Sequence, residues 1–396
     1  MKILITNHHL DSRAGSELFT ATLSLELKKR NHHVYVFSPI LGKISDEIKK
    51  SGVIVVDDLR ILKEEKFDII HAQHNDTAIL ARSIFPNIPM IFMSHGVLPE
   101  LEQVPSIDLG IAKFIAVSEE VEENLVKNNG ISKDRVEIIR NFVDTETFCL
   151  KKEVNETPKN ILVVTNHYTD DVKKIIEGAC ADLGIVVSHV GLPDNPVTNV
   201  EKYMNDVDIV VTLGRGSLEA MACERNVIVF DMHGGDGLID ERNFFEIRKN
   251  NFSGRRFRNK YSVEEFKDEI NKYKPELGHA LRKIIEVENS ISGVIDDLER
   301  IYKEVSLMIV INSQIKVGQL YNEIFFLEKS FREKAYLIGL IQEKDCMLEQ
   351  KECNLDEKNK EIDEKNKEIY SIRTSLRWKI PNFIYKKYKK IISFFN

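Results

Sequence analysis

Residues 208–237, DIVVTLGRGSLEAMACERNVIVFDMHGGDG, have the pattern strand, glycine turn, helix, strand. Residues 208–213 and 226–231 are apolar, β-branched runs, and between them a glycine turn precedes a stretch of helix composition. In a parallel α/β sheet the end of a strand and the start of the next helix face one crevice, where free backbone N–H groups favour an anion. This stretch therefore predicts a nucleotide-binding core.

The candidates for phosphate contact lie in and beside that turn: Gly214, Arg215, Gly216 and Ser217. Glu219, in the first turn of the predicted helix, can accept hydrogen bonds from ribose hydroxyls. Gly234 and Gly235, after the second strand, would let the backbone approach a ligand closely. Glycines at strand ends are also common as simple turns, so this motif alone leaves both interpretations open.

The composition is that of a globular chain with more than one unit. The 396 residues are 42% hydrophobic and 30% charged, which suggests two or three units with sizeable cores. The N-terminus lacks a signal-peptide pattern and no apolar run reaches spanning length, so we expect a cytoplasmic protein. Five scattered cysteines without paired ligand spacing favour reduced thiols and predict no metal site.

The first half of the chain alternates strands with helices. Residues 2–7 form a predicted strand, and a helix is predicted from Gly15 to about Arg30, with Gly15 and Ser16 offering free N–H groups at its start. The later predicted strands are residues 33–37, 53–56, 68–71, 90–94 and 114–117. This alternation predicts a parallel sheet covered by helices on both faces.

Polar residues follow several of these strands, where the ligand edge of a parallel sheet is expected: His71, Gln73, His74, His95, Ser118 and Glu119. His95 follows the apolar run MIFMS directly and precedes a glycine, so its ring would project at that edge. It can bind or polarise a substrate hydroxyl, or it can simply hydrogen-bond to loop backbone. Its position leaves both interpretations open.

Several ordered motifs in residues 1–150 resemble one family: GSE at 15–17, KKRNHHVYVFSP, SHG at 94–96, FIAVSEEVEENL at 114–125 and VEIIRNFVDTETF at 136–148. Together they resemble the N-terminal domain of the GT-B glycosyltransferases of family 4, which are retaining and use nucleotide sugars. The resemblance covers about residues 1–300. It implies two Rossmann-like domains facing a cleft. We take His95 and Glu219 as the candidate catalytic residues.

The second half departs from the family at the donor site. Residues 149–158 have the composition of an interdomain linker. The family carries two glutamates separated by seven residues; the second falls on Glu219 and implies ribose binding, but the first falls on Val211. The arginine and lysine that the family places on the diphosphate fall on approximately Asn166 and Asp171.

Other cations must neutralise a diphosphate, because burying its charges without partners is prohibitively costly. Arg215 lies in the glycine turn, and Arg255, Arg256 and Arg258 lie in NFSGRRFRNK. Two arginines after a glycine suit a phosphate-clamping loop, and a solvated basic loop is the alternative. HGGDG resembles a donor loop of bacterial surface-glycan enzymes, which makes Asp236 a candidate for sugar hydroxyls.

From about Val317 the sequence has heptad periodicity. Leu348, Leu355, Ile362 and Ile369 recur at sevens, while the partner series becomes polar beyond Ile338. This pattern predicts a coiled-coil stalk that pairs weakly in a homo-oligomer of low number. A single solvated helix is the alternative.

The last 26 residues differ in charge from the rest of the chain. They hold seven basic residues and no acidic one, which leaves 49 basic against 63 acidic residues elsewhere. Aromatic and aliphatic side chains alternate with the basic ones, as in Trp378 and Phe383. This pattern predicts an amphipathic helix after Pro381 on an anionic membrane surface, and the acidic body disfavours nucleic acid as a partner.

We therefore predict an α/β chain of GT-B fold, with two doubly wound Rossmann-like domains, a helical coiled-coil stalk and a basic amphipathic tail. The predicted boundaries are 1–150 for the acceptor-side domain, 151–305 for the donor domain, 306–370 for the stalk and 371–396 for the tail.

The predicted function is transfer of a sugar from a nucleotide-sugar donor to a lipid-linked or surface-glycan acceptor in bacterial cell-envelope polysaccharide assembly. The enzyme is expected to be of the hexosyltransferase type, without a metal or other cofactor, and peripheral on the inner face of the cell membrane. A non-catalytic GT-B-like scaffold, which the valine at 211 favours, and a nucleotide-sugar epimerase stay open as alternatives.

Overall fold

The computed structural model describes residues 1–13, 15–105, 107–191, 195–308 and 317–393. The chain divides into a compact unit Met1–Phe326 and a second unit Leu327–Asn396. The first unit contains two α/β lobes, each with its own hydrophobic core.

The N-terminal lobe is built from short apolar strands, and the central ones are buried on both faces, as is typical of a parallel sheet. Its strands are β1 (Lys2–Thr6), β2 (His9–Leu10), β3 (His33–Phe37), β4 (Ile40–Leu41), β5 (Ile54–Val56), β6 (Ile69–Ala72), β7 (Met90–Ser94), β8 (Lys113–Ala116) and β9 (Val136–Ile138). Its helices are α1 (Gly15–Lys29), α2 (Lys43–Lys50), α3 (Asn75–Ile84) and α4 (Glu119–Glu123). Short 3-10 or π turns lie at Leu59–Leu62, Glu100–Glu102, Asn124–Asn128 and Lys133–Arg135.

Seven of these strands form one parallel sheet in the order β5-β3-β1-β6-β7-β8-β9, and β2 pairs separately with β4. The register places Ile5 opposite Val36 on one side and His71 on the other. The loops after β1, β6 and β7 therefore leave the sheet at the same edge, which positions their polar residues together.

The C-terminal lobe follows the same plan on a smaller scale. Its strands are β10 (Asn160–Val164), β11 (Val186–Val190), β12 (Ile209–Thr212), β13 (Asn226–Asp231) and β14 (Gly234–Leu238). Its helices are α5 (Asp170–Leu183), α6 (Val200–Asn205), α7 (Arg215–Ala222), α8 (Phe244–Arg248), α9 (Val263–Ile270) and α10 (Pro275–Glu288). The order is β11-β10-β12-β13-β14, parallel except for the antiparallel pair β13–β14. The predicted α/β architecture of two lobes is confirmed.

The chain crosses between the lobes twice, and neither crossing is at a predicted boundary. Phe142 packs in the first core and Val143 in the second, so the first crossing precedes residue 150. The return follows α10, where the Asn289 side chain donates to the Asn141 carbonyl at 2.7 Å and Val143 N–H donates to the Asn289 carbonyl at 3.1 Å. Backbone groups of the two crossing segments thus satisfy one another.

Helix α11 (Ile291–Ser306) belongs to the N-terminal lobe, although it follows the C-terminal lobe in sequence. Its apolar face, which includes Leu298 and Tyr302, is fully buried in the first core. The Tyr302 hydroxyl lies 2.5 Å from Nδ1 of His71, which is also fully buried. The predicted donor domain of residues 151–305 therefore includes a helix of the other lobe, and His71 is a core residue rather than part of a ligand edge.

Helix α12 (Val317–Ile392) is continuous over most of the predicted stalk and tail, with Pro381 inside it. At its start Tyr321 is buried and donates to an Asp58 carboxylate oxygen at 2.9 Å, which fixes this end to the N-terminal lobe. In the second unit, Leu348, Leu355 and Ile362 of the predicted seam are exposed. Coiled-coil pairing stays a prediction. Among the described residues, no helix combines the length and apolar character that crossing a bilayer requires.

Candidate functional site

A cavity of about 350 Å³ is lined by residues of both lobes. The N-terminal lobe contributes His9, Gly15, Ser16, Glu17, His74, His95, Pro99, Leu101, Glu102 and Asn141, and the C-terminal lobe contributes Gly214, Arg215 and Asn251. The structure thus brings together six of the residues predicted at the donor site or the ligand edge, Gly15, Ser16, His74, His95, Gly214 and Arg215. The other predicted residues lie behind this lining or apart from it.

The glycine turn of the C-terminal lobe forms one wall of the cavity. Gly214 has φ of 55° and ψ of −125°, a backbone conformation that strongly favours glycine, and its N–H donates to the Phe252 carbonyl at 2.8 Å. A Cβ at Gly216 would lie 2.4 Å from the Thr212 hydroxyl oxygen, so a glycine is required for close packing of α7 on β12. The two glycines thus fix the start of α7 at Arg215 on the cavity wall.

Arg215 and Glu219 form an ion pair one helical turn apart. Arg215 Nε donates to Glu219 Oε1 at 2.7 Å, and both side chains are largely buried. Glu219 therefore lies behind Arg215 and orients it. Ser217, on the same helix, is fully buried.

Two of the other three candidate phosphate-binding arginines, Arg255 and Arg256, are also paired with carboxylates. Arg255 makes two hydrogen bonds to Glu120 of the N-terminal lobe, at 2.7 and 3.0 Å, and so bridges the lobes. Arg256 donates to Glu246 at 2.5 Å. Any anion that these arginines bind must compete with the carboxylates.

Residues 234–237 of HGGDG lie in the edge strand β14 instead of an open loop. Backbone atoms of neighbouring segments closely approach both glycines: a Cβ at Gly235 would lie 2.5 Å from the Val229 carbonyl oxygen, and one at Gly234 would lie 3.1 Å from that of Asn259. The buried Asp236 carboxylate accepts from the Phe257 N–H at 2.7 Å. These residues support the loop that carries Arg255 and Arg256, and they are not part of the cavity lining.

On the opposite wall, His95 is held by a chain of polar contacts. Its Nε2 lies 2.9 Å from the Gln73 side-chain oxygen, and Gln73 Nε2 donates to the Thr20 hydroxyl at 2.8 Å. Because an amide oxygen only accepts, Nε2 carries the proton and Nδ1 is the acceptor of the neutral ring. Burial lowers the His95 pKa to about 3. The ring is therefore neutral and can accept a hydrogen bond from a substrate hydroxyl.

Two residues near the start of the chain complete this wall and were missed by sequence reasoning. His9 Nε2 lies 2.9 Å from Oε1 of Glu17, whose side chain is only 1% exposed. Glu17 Oε2 also accepts from the Ser16 hydroxyl at 2.9 Å. The His9 pKa is raised by its hydrogen bond to Glu17, against the effect of burial.

Glu102 is a third ionisable group of the cavity that sequence reasoning missed. Burial, with a smaller contribution from the charge of Glu17, raises its pKa to about 7. A Cβ at Gly96 would lie 2.5 Å from Glu102 Oε2, so the glycine of SHG makes room for this carboxyl group. The Ser94 hydroxyl donates to the Glu102 carbonyl at 2.9 Å and fixes the loop.

The cavity therefore has two chemically different walls. The C-terminal wall offers a guanidinium at the start of a helix, which suits a phosphate. The N-terminal wall offers a neutral histidine, a histidine–carboxylate pair and a carboxyl group of raised pKa, which suit hydroxyl groups and proton transfer. Val211 lies in the interior of β12 and is fully buried, away from the cavity.

Within the described ranges, no cluster of three or more histidine, cysteine, aspartate or glutamate residues has the arrangement needed to hold a metal ion.

Residues 13–147 match the protein family described as Glycosyltransferase Family 4. None of the curated proteins is a significant match to the chain.

Several solved structures share the fold. A glycosyltransferase from Rickettsia africae ESF-5 aligns with a TM-score of 0.57 at 14% identity, over 77% of this chain and 98% of its own. Anabaena Alr3699/HepE, solved in complex with UDP and glucose, aligns with a TM-score of 0.55 at 12% identity, over 77% of this chain and 100% of its own. Sucrose-phosphate synthase (tll1590) from Thermosynechococcus elongatus aligns with a TM-score of 0.50 at 12% identity, over 76% of this chain and 98% of its own.

The two lobes with a cavity between them, the return of α11 to the N-terminal lobe and the family match at residues 13–147 agree with one another. Together they show a chain of GT-B fold whose residues 13–147 match Glycosyltransferase Family 4.

Proposed function

We propose that the chain transfers a sugar from a nucleotide-sugar donor to a lipid-linked or surface-glycan acceptor in bacterial cell-envelope polysaccharide assembly. The observation that carries this proposal is the cavity itself, with Arg215 on one wall and His9, Glu17, His95 and Glu102 on the other. The donor diphosphate would lie at the start of α7. The acceptor hydroxyl would lie against the N-terminal wall.

Proposed donor contacts follow from this placement. Arg215 binds the diphosphate, and Glu219, the proposed ribose-binding residue, orients the guanidinium through their ion pair. Gly15 and Ser16, which line the cavity at the start of α1, supply backbone N–H groups. Arg255 and Arg256 would join when the diphosphate replaces their present carboxylate partners, Glu120 and Glu246.

The proposed chemistry is electrostatic activation of the leaving group. As the bond between the sugar and the diphosphate breaks, negative charge grows on the departing nucleotide, and fixed cations and N–H dipoles stabilise that charge. Arginines can provide this stabilisation in the role that a metal ion has in other sugar transferases. We therefore propose a reaction without a bound metal or other cofactor.

The function is tested by incubating the full chain with UDP-glucose, GDP-mannose, ADP-glucose and dTDP-glucose, with and without a bacterial lipid extract as acceptor. Release of nucleoside diphosphate from one donor, increased by the extract and accompanied by a glycosylated lipid, is the expected result. Conversion of the donor sugar without diphosphate release would instead identify an epimerase. Binding of a nucleotide without turnover of any donor would favour the non-catalytic scaffold.

The membrane location is a separate proposal. The last 26 residues carry seven basic and no acidic side chains, and each such charge near an anionic surface contributes about 1 kcal/mol to binding. Deletion of residues 371–396 should release the protein from phosphatidylserine vesicles in a sedimentation assay, while binding to neutral vesicles is weak for both forms. Equal sedimentation of the truncated and full chains with anionic vesicles would contradict this location.

A further inference from the structure

We propose that Glu102 binds hydroxyl groups of the donor's sugar ring, an inference that rests on the proposed transfer function. Glu102 lies in the loop between β7 and β8, on the N-terminal wall of the cavity. Its carboxyl group has no partner among the described residues, its loop is held in place, and its surroundings disfavour a phosphate.

The Glu102 carboxyl group is free to bind a ligand. Among the residues that the structure describes, none makes a hydrogen bond or an ion pair with it, although the side chain is half-buried. The other carboxylate of the cavity lining, Glu17, differs because His9 and Ser16 both contact it. A polar group that is partly removed from water is stabilised by a ligand that supplies the missing hydrogen bonds. Sugar hydroxyls are such donors, and one carboxylate can accept from two of them.

Contacts from neighbouring elements hold the loop that carries Glu102. The Ser94 hydroxyl, at the end of β7, donates to the Glu102 carbonyl at 2.9 Å. Asn75 Nδ2, at the start of α3, donates to the Glu100 carbonyl at 2.8 Å. The absence of a side chain at Gly96 leaves room for the carboxyl group. A ligand therefore meets a group that is already in place, so less conformational entropy is lost on binding.

The wall around Glu102 suits a sugar better than a phosphate. The charge of Glu17 acts on Glu102, and a phosphate beside two carboxyl groups would be repelled. Pro99 and Leu101 line the cavity next to Glu102 and offer apolar surface to the C–H groups of a sugar ring. The diphosphate belongs on the opposite wall, at Arg215. Since the sugar is bonded directly to the diphosphate, it is the part of the donor that reaches the N-terminal wall.

The effect of pH on sugar binding has a definite sign. Burial raises the pKa of Glu102 to about 7, the charge of Glu17 adds to this effect, and the positive charges of Arg255 and His9 oppose it. An ionised carboxylate is a stronger hydrogen-bond acceptor than a protonated one. The ratio of donor affinity to diphosphate affinity should therefore increase as the pH rises through about 7.

The test compares nucleoside diphosphates with the matching donors by isothermal titration calorimetry of the full chain. The probes are UDP and UDP-glucose, GDP and GDP-mannose, ADP and ADP-glucose, and dTDP and dTDP-glucose. Glu102→Gln should weaken donor binding by about 10-fold or more, because a hydrogen bond to a charged group is lost. Its affinity for the diphosphate should stay within about twofold of that of the unmodified chain, which also shows that the variant is folded.

The matched control is Glu100→Gln. Glu100 lies in the same 3-10 turn as Glu102, but it is exposed and does not line the cavity. Its substitution should leave both affinities unchanged. In Glu102→Gln, the ratio of donor affinity to diphosphate affinity should no longer depend on pH.

Several outcomes would overturn the inference. Equal donor affinities of Glu102→Gln and the unmodified chain would exclude contact with the donor sugar, and so would a pH dependence that persists in this variant. A loss of turnover with the lipid extract, at unchanged donor affinity, would assign Glu102 to the acceptor instead. Absence of diphosphate binding by the unmodified chain would remove the proposed function as well, and it is distinguished from the other outcomes because it precedes any substitution.

Discussion

Replacement of Arg215 with alanine is expected to weaken binding of a nucleoside diphosphate to the full chain by about 100-fold. A hydrogen bond to a charged group contributes about 1.5 to 3 kcal/mol, and each 1.4 kcal/mol is a factor of ten in affinity. Arg215 lines the cavity, and its ion pair with Glu219 at 2.7 Å holds the guanidinium in place before the ligand arrives. Isothermal titration calorimetry measures the change directly.

The matched control is Arg242→Ala. Arg242 also pairs with a carboxylate, Asp240, at 2.5 Å, but its side chain is 91% exposed and it does not line the cavity. Its loss should leave the affinity within about twofold, because an exposed ion pair contributes little. Equal affinities of Arg215→Ala and the unmodified chain would place the diphosphate elsewhere.

Acidification is expected to destabilise the first unit through its buried neutral histidines. Burial lowers the pKa values of His71 and His74 to about 3, while the unfolded chain has ordinary histidines with pKa values near 6.5. Between these pH values the unfolded state binds more protons, so stability is lost as the pH falls below about 6.5. Each histidine then costs about 2 kcal/mol in the free energy of unfolding at pH 5.

Glu102 has the opposite effect on the pH dependence of stability. Burial raises its pKa to about 7, so the folded state binds more protons than the unfolded state and this carboxyl group favours folding as the pH falls. The prediction is therefore tested by comparing variants. His71→Gln should reduce the loss of unfolding free energy between pH 8 and pH 5 by about 2 kcal/mol, measured by urea denaturation at both pH values. An unchanged pH dependence in this variant would show that His71 has the same pKa in the folded and unfolded states.

Local sequence patterns predict much of this fold. Strands β3 (His33–Phe37) and β7 (Met90–Ser94) have the predicted bounds. Helix α1 begins at Gly15, as predicted. These elements have continuous apolar, β-branched runs or a clear helix start, so local preference and tertiary packing agree. The same kind of signal, a glycine turn between a strand and a helix, indicates Gly214 and Arg215, and both line the cavity.

Other features depend on contacts between distant residues. HGGDG has a composition that disfavours strands, yet its glycines pair with β13. Backbone atoms of neighbouring segments approach these glycines too closely for a side chain to fit. Helix α11 has an ordinary amphipathic pattern, and contacts with residues distant in sequence, such as that of Tyr302 with His71, show which lobe it belongs to. His9 lies in the two-residue strand β2, Glu17 in the first turn of α1 and Glu102 at the end of a short 3-10 turn. Nothing in the local pattern at these positions marks an ionisable residue as functional.

The central claim is that the cavity between the lobes binds the nucleotide part of a sugar donor. The most direct measurement is calorimetric titration of the full chain with UDP, GDP, ADP and dTDP, with the Arg215→Ala and Glu219→Ala variants in parallel. We expect one nucleotide to bind selectively, with binding strongly weakened in both variants. Absence of binding by all four, or binding that both variants retain in full, would contradict the claim.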